Sequence, residues 1–191
     1  MDIDALKGRI AEALVEGIFR RAEYHVALVG RESRVQQLIK LGKDQFLPDF
    51  LVWKSVAQPG RDRPLHRMIS IEVKYRADIS EYLRLYFSAD FSSIADHWPN
   101  LYLVFVTDHP EEGRSCFQVI DLWQYSPDGP MVTFDLAHVS ELDIYRKNVE
   151  EHEGLAKQIF PLLNSQPRTE DLPRKPPAKV AGDAPSLRAA R

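Results

Sequence analysis

Residues Met68–Tyr75 read MISIEVKY, a segment in which apolar and polar side chains alternate. Alternation with a period of two is typical of a β-strand that has one face in the core and the other in solvent. We therefore predict a half-buried strand here. Its apolar face would carry Ile69, Ile71, Val73 and Tyr75, and its polar face Met68, Ser70, Glu72 and Lys74.

The flanking segments predict helices and strands in mixed order. The first three strands are joined by connections too short for helical crossovers, whereas the fourth follows a helix, so we predict an α/β fold with a mixed sheet. The predicted helices are residues 4–23, 79–97 and 149–163, with a further short one at 31–43. The other predicted strands are 24–29, 46–53 and 101–106, with a further one starting at Cys116.

Length and composition indicate one domain with a short appendage. The chain has 191 residues, and we assign 1–164 to the domain and 165–191 to a disordered, proline-rich basic tail. The single cysteine, Cys116, excludes a disulfide framework and a cysteine-based zinc cluster. The sequence has no apolar run of membrane-spanning length and no signal peptide at its start, so we expect a cytoplasmic protein.

Charge is unevenly distributed along the chain. The net charge is −3, which argues against a uniformly basic nucleic-acid binder. Between Arg31 and Arg76, however, ten basic residues face five acidic ones, a local charge of +5. Because salt limits electrostatic interactions to about 8 Å, such a local excess matters more than the total.

Three charged residues occur in segments that otherwise predict buried strands: Asp49 in FLPDFLVW, and Glu72 and Lys74 in SIEVKYR. The two-residue spacing places Glu72 and Lys74 on one face, and an adjacent strand beginning at Asp49 would bring a second carboxylate alongside. Two neighbouring carboxylates repel each other unless a cation lies between them, and oxygen ligands suit Mg²⁺ or Mn²⁺. We therefore predict a metal site. The alternative is an ordinary ion pair between Glu72 and Lys74 on a solvated sheet face.

At these residues the chain resembles the PD-(D/E)xK nuclease superfamily, over roughly residues 4–108. Pro48-Asp49 and Glu72-Val73-Lys74 match its motif, and the order of helix, three-stranded meander, helix and strand matches its restriction-endonuclease-like core. The start of the chain is similar to the Holliday-junction-resolvase-like branch, although Glu23 stands where that branch usually has a turn glycine. The positions that carry this similarity are Gly8, Glu12, Val15, Phe19, Tyr24 and Val26.

The resemblance implies a metal-dependent nuclease that hydrolyses phosphodiester bonds. Asp49, Glu72 and the backbone carbonyl of Val73 would bind Mg²⁺ or Mn²⁺. Glu12, with Glu16 as a possible substitute, would assist metal binding. Lys74 would orient the attacking water or stabilise charge in the transition state. The substrate would be DNA, by family analogy, in repair, recombination or defence.

Several basic residues near the motif are candidates for nucleic-acid binding, because cations contact backbone phosphates. An exposed charged loop with no ligand is an equally common explanation for them. The candidates are Lys54, Arg61, Arg63, Arg67, Arg76 and Arg84.

Two other functions are compatible with the sequence. A non-catalytic nucleic-acid-binding or assembly module could keep the same scaffold, and a hydrolase of small phosphoesters would need a closed pocket where a nuclease needs an open basic groove. A homodimer is compatible with the sequence but is not required by it.

Overall fold

A computed structural model of the protein describes residues 2–29, 47–56, 65–86, 98, 100–121 and 131–164. The predicted helix at 31–43, residues 87–97 of the second predicted helix, Arg61 and Arg63, and the predicted tail at 165–191 all lie outside these ranges. The described elements are α1 (Ile3–Arg21), β1 (His25–Leu28), β2 (Phe50–Val56), β3 (Leu65–Tyr75), α2 (Ile79–Tyr86), β4 (Leu101–Val106), β5 (Phe117–Asp121), β6 (Phe134–Asp135) and α3 (Arg146–Asn164), with 3-10 turns at Leu136–His138 and Ser140–Leu142 before α3.

The strands form one mixed sheet in the order β1-β2-β3-β4-β5-β6. All neighbouring pairs are antiparallel except β3 and β4, which are parallel and are connected through α2. The prediction of an α/β fold with a mixed sheet is therefore confirmed. The second strand begins at Phe50, later than the predicted residue 46, so Asp49 lies immediately before the strand.

Apolar clusters cover both faces of the sheet. On one face, α1 and α3 pack against strand residues that include Ile71 and Val104. On the other face, Ile79 of α2 packs with Leu103 and Phe105 of β4. Because successive strand residues point to opposite faces, β4 and β5 each contribute side chains to both clusters.

The prediction that β3 is half-buried is wrong, because residues 69–73 are buried on both faces. Glu72 is in register with Leu103 on the neighbouring strand, and Ser70 is in register with Leu101. Both leucines belong to the cluster that α2 covers. The alternating pattern located the strand correctly, but it did not predict that an apolar cluster covers this face. Because of that cluster, Glu72 is a buried carboxyl group and not a solvated one.

Helix α1 begins with Asp2, whose side chain accepts a 3.0 Å hydrogen bond from the backbone N–H of Asp4. The buried face of the helix carries Ala11 and Val15, whereas Ala13 is exposed. This face packs against α3 as well as the sheet. Glu12 therefore lies at the border of the buried face and is partly exposed.

Candidate active site

Asp49 and Glu72 lie side by side on neighbouring strands. The antiparallel register pairs Phe50 with Ile71, and its continuation by one residue places Asp49 opposite Glu72. Asp49 Oδ2 accepts a 2.8 Å hydrogen bond from the backbone N–H of Val73, so the carboxylate is held against β3. The structure thus brings together the two carboxylates that the sequence analysis paired.

Lys74 joins this pair from the same face of β3. Its ammonium group forms a hydrogen-bonded ion pair with Glu72 Oε1. The Glu72 side chain is only 6% exposed, whereas that of Lys74 is 37% exposed. The ion pair of the alternative interpretation therefore exists, but its carboxylate is buried instead of solvated.

Burial dominates the electrostatics of Glu72. Desolvation raises its pKa from 4.5 to about 7; the Lys74 ammonium opposes this shift and the negative charge of Asp49 adds to it. Glu72 Oε2 is buried and has no hydrogen-bond partner among the described residues. A buried carboxylate oxygen without a partner is costly, so this atom requires a proton or a cation.

A cleft of about 630 Å³ opens beside these residues, at the end of β3. Glu12 and Lys74 both line it, together with Asp49, so the helix carboxylate and the strand residues share one cleft. Glu72 is not among the residues that line the cleft. The lining residues are Asp4, Ala5, Lys7, Gly8, Arg9, Glu12, Asp49, Val73, Lys74, Tyr75, Arg76 and Ala77.

The lining suits a charged ligand better than an apolar one. Seven of the twelve lining residues carry charge, whereas pockets for small molecules are mostly apolar with few polar groups. Among them, the sequence analysis did not identify Asp4, Lys7 and Arg9. For Asp4 and Arg9 the available signal was helical spacing, because residues three to four apart share a helix face. Arg9 is three positions before Glu12, and Asp4, Gly8 and Glu12 form one row, whereas Lys7, five positions before Glu12, had no such signal.

The predicted nucleic-acid-binding residues do not all reach this cleft. Arg76 lines it. Lys54 and Arg67 are register partners at the opposite end of the sheet, and Arg67 donates a hydrogen bond to the backbone carbonyl of Glu141. At about 3.3 Å per residue, the seven positions from Arg67 to Lys74 correspond to roughly 23 Å. Arg84 is exposed on α2 and does not line the cleft.

Glu16, the possible substitute for Glu12, forms a 2.8 Å ion pair with Arg20 on its own helix. It does not line the cleft. Of these two glutamates, Glu12 is therefore the one that lines the cleft with Asp49 and Lys74, and Asp4 is a second α1 carboxylate in the lining.

Two carboxylates fit a magnesium site, but the described residues do not assemble a larger cluster. Within the described ranges, no three or more His, Cys, Asp or Glu side chains form a group able to hold a metal ion. Mg²⁺ is commonly bound through one or two carboxylates with water and substrate phosphate completing its shell. Asp49, together with the unpartnered Oε2 of Glu72, fits this smaller requirement.

No helix among the described residues is long and apolar enough to span a bilayer. Comparisons with protein-family models, curated proteins and solved structures found no match for this chain.

Proposed function

We propose that the protein is a metal-dependent nuclease of the PD-(D/E)xK type, with a restriction-endonuclease-like core, that hydrolyses phosphodiester bonds in DNA during repair, recombination or defence. The observation that carries this proposal is the placement of Asp49 beside Glu72, with Lys74 paired to Glu72 at a charged cleft. The order α1-β1-β2-β3-α2-β4, with an antiparallel meander followed by a parallel strand, agrees with the expected core.

The proposed metal ligands are Asp49, Glu72 and the carbonyl of Val73, with Glu12 assisting from α1. When bound, Mg²⁺ or Mn²⁺ would lower the pKa of a coordinated water and neutralise charge on the substrate phosphate. The two carboxylates supply the negative charge that attracts such a cation. Their mutual repulsion, which helps to raise the pKa of Glu72, is relieved when the cation is present.

Lys74 supplies a positive charge at the cleft wall. Its side chain is partly exposed, and its ammonium group is paired with the buried Glu72. From there it can donate hydrogen bonds to the attacking water or to a phosphate oxygen, and so stabilise the charge that develops during hydrolysis. Its ion pair with Glu72 fixes the direction from which it acts.

The second candidate is a non-catalytic nucleic-acid-binding or assembly module on the same scaffold. The buried pair of Glu72 and Lys74 favours it, because such a pair can also be purely structural. The absence of a three-ligand cluster among the described residues points the same way. The two candidates differ in whether removal of Asp49 abolishes a metal-dependent reaction.

The test is cleavage of supercoiled, linear, branched and single-stranded DNA with Mg²⁺, with Mn²⁺ or with a chelator. A nuclease cleaves at least one of these substrates, and both the chelator and the substitutions Asp49→Ala and Lys74→Ala abolish cleavage. The matched controls are Glu150→Ala and Lys147→Ala, exposed residues of α3 outside the cleft. Cleavage that survives Asp49→Ala would rule the proposal out. Binding of DNA without cleavage, unchanged by Asp49→Ala, would favour the second candidate.

A further inference from the structure

Two cations at the cleft, Lys7 and Arg76, are held in place by aromatic rings. The Arg76 guanidinium lies 4.1 Å from the ring centroid of Tyr82 on α2. Its NH1 group donates a 2.6 Å hydrogen bond to the carbonyl of Tyr75, and its backbone N–H donates a 2.9 Å bond to the carbonyl of Val106. A guanidinium has five N–H donors, so most of them stay available for a ligand.

Lys7 reaches the cleft from α1. Its ammonium group lies 5.0 Å from the ring centroid of Tyr75 and donates a hydrogen bond to the side-chain carbonyl of Asn164. Neither interaction cancels the positive charge, because an aromatic ring and an amide are both neutral. The Lys7 ammonium group is therefore held in position and keeps its positive charge.

Tyr75, which contacts both cations, is itself fixed. Its hydroxyl donates a 2.7 Å hydrogen bond to Asp108, a carboxylate whose side chain is fully buried. Its ring centroid lies 4.6 Å from that of Phe160 on α3. The ring therefore forms a rigid support for Lys7, while the backbone carbonyl of Tyr75 and the ring of Tyr82 hold the Arg76 guanidinium. Because both cations are already positioned, they lose little conformational entropy when they bind a ligand.

Three cations at the cleft are not used by the Glu72–Lys74 ion pair. They are Lys7, Arg9 and Arg76, and they balance the three lining carboxylates, Asp4, Glu12 and Asp49. Within the described part of the chain, the ion pairs do not include Lys7, Arg9 or Arg76. If Glu12 and Asp49 hold a metal ion, the rest of the rim has three cations and one carboxylate, Asp4, and is therefore cationic.

We infer that Lys7 and Arg76 form a phosphate-binding subsite, which holds backbone phosphates of the DNA strand next to the phosphate positioned at Asp49, Glu72 and Lys74. This inference rests on the proposed function. Arg76 presents a planar fork of donors suited to two phosphate oxygens, and Lys7 presents a point charge. Lys54 and Arg67, at the other end of the sheet, are too distant to belong to the same subsite.

The test is the affinity of the full chain for a fluorescein-labelled DNA duplex, measured by anisotropy in chelator over a range of salt concentrations, so that no cleavage occurs. Each of Lys7→Gln and Arg76→Gln should weaken binding about tenfold, which corresponds to about 1.4 kcal/mol. Each should also make the slope of log affinity against log salt shallower by about 0.9, the value for one lost phosphate contact. The Arg76→Lys variant should bind DNA with intermediate affinity, because lysine keeps the positive charge but lacks the planar set of N–H donors of the guanidinium group.

Matched controls are Arg20→Gln on α1 and Lys147→Gln on α3, which remove the same charge outside the cleft. Thermal melting of every variant separates a loss of binding from a loss of fold. Folded Lys7→Gln and Arg76→Gln variants with wild-type affinity and salt slope would overturn the inference while leaving the proposed nuclease intact, since cleavage by the wild type is measured separately. Equal competition by poly-glutamate and by DNA of the same charge would also overturn it, because the subsite would then recognise charge and not phosphate.

Discussion

The backbone N–H of Val73 donates a 2.8 Å hydrogen bond to the Asp49 carboxylate. This bond joins the residue before β2 to the middle of the Glu72-Val73-Lys74 motif on β3. It fixes one oxygen of Asp49 against the strand and places its negative charge beside Glu72. The position of the candidate site therefore depends on backbone pairing as well as on side-chain identity.

Asp49→Asn should abolish cleavage without unfolding the protein. The amide oxygen can still accept the bond from Val73, so the local structure is kept, but the charge that attracts the metal is lost. We expect metal-dependent cleavage to fall by about 100-fold or more, as for a lost metal ligand. The measurement is initial cleavage rate alongside thermal melting. A folded variant that cleaves at the wild-type rate would contradict the assignment.

Divalent cations should stabilise the wild type and not the Asp49→Asn variant. A ligand that binds only the folded chain adds about 2.7 kcal/mol to the free energy of unfolding at 100 times its dissociation constant. Melting in Mn²⁺ and in chelator, above pH 7, measures this effect without any nuclease assay. An equal shift in wild type and variant would place the bound cation elsewhere.

Glu72→Gln should change the pH dependence of stability. The pKa of Glu72 is about 7 in the folded chain and 4.5 as its ordinary value, so between these values the folded state binds more protons than the unfolded state. The stability that the protonated group contributes is therefore complete below pH 4.5 and is lost as pH rises through 7. Because glutamine does not titrate, the free energy of unfolding of Glu72→Gln minus that of wild type should rise by about 3 kcal/mol between pH 4.5 and a pH above 7.

Denaturant unfolding in chelator, at several pH values, is the measurement for Glu72→Gln. The control is Glu150→Gln, an exposed carboxyl on α3. A difference between Glu72→Gln and wild type that does not vary with pH would show that Glu72 ionises normally despite its burial.

Glu23→Gly should stabilise the protein. Glu23 has a φ of 68°, in the left-handed region, and follows the C-cap Ala22 of α1. Tyr24 N–H bonds to the carbonyl of Phe19 and Glu23 N–H to that of Arg20, both at 3.0 Å, which is the Schellman arrangement that favours glycine at this position. The left-handed conformation costs a residue with a Cβ about 1–2 kcal/mol, and glycine avoids this cost. Because glycine loses more conformational entropy on folding, the expected net gain in free energy of unfolding is about 1 kcal/mol.

The measurement for Glu23→Gly is the free energy of unfolding, with Glu23→Ala as the control. Alanine removes the charge but keeps the Cβ, so it should leave stability nearly unchanged. Equal stabilisation by both substitutions would attribute the effect to the charge of Glu23 instead of its backbone conformation.

Gly17→Ala should destabilise the contact between α1 and α3. A Cβ on Gly17 would lie 2.5 Å from Nε2 of His152, whereas one on Gly154, in α3, would meet nothing within 4 Å. We expect Gly17→Ala to lower the free energy of unfolding by about 1 kcal/mol or more, despite the higher helix propensity of alanine. Gly154→Ala should raise it by about 0.5–1 kcal/mol. Restoration of stability by adding His152→Ala to Gly17→Ala would confirm the contact.

The sequence alone was sufficient for the class of fold and for the placement of Glu72 and Lys74 on one face of β3. The alternation of apolar and polar residues located β3. Glu72 and Lys74 are two positions apart, so their side chains lie on the same face of the strand. The apolar run at 101–106 indicated a strand covered on both faces, and all six of its residues are buried. These features are local, so they are readable from neighbouring residues.

Only the tertiary structure determined the burial of Glu72, the register that places Asp49 opposite it, and the cations around the cleft. Burial of Glu72 depends on Leu103, 31 positions later, and on the cluster that α2 covers. Lys7 and Arg76 are 69 positions apart in the sequence and come to one cleft because α1 packs beside the end of β3. Local periodicity encodes the direction of a side chain within its own element, whereas its surroundings arise from packing between elements that are distant in the chain.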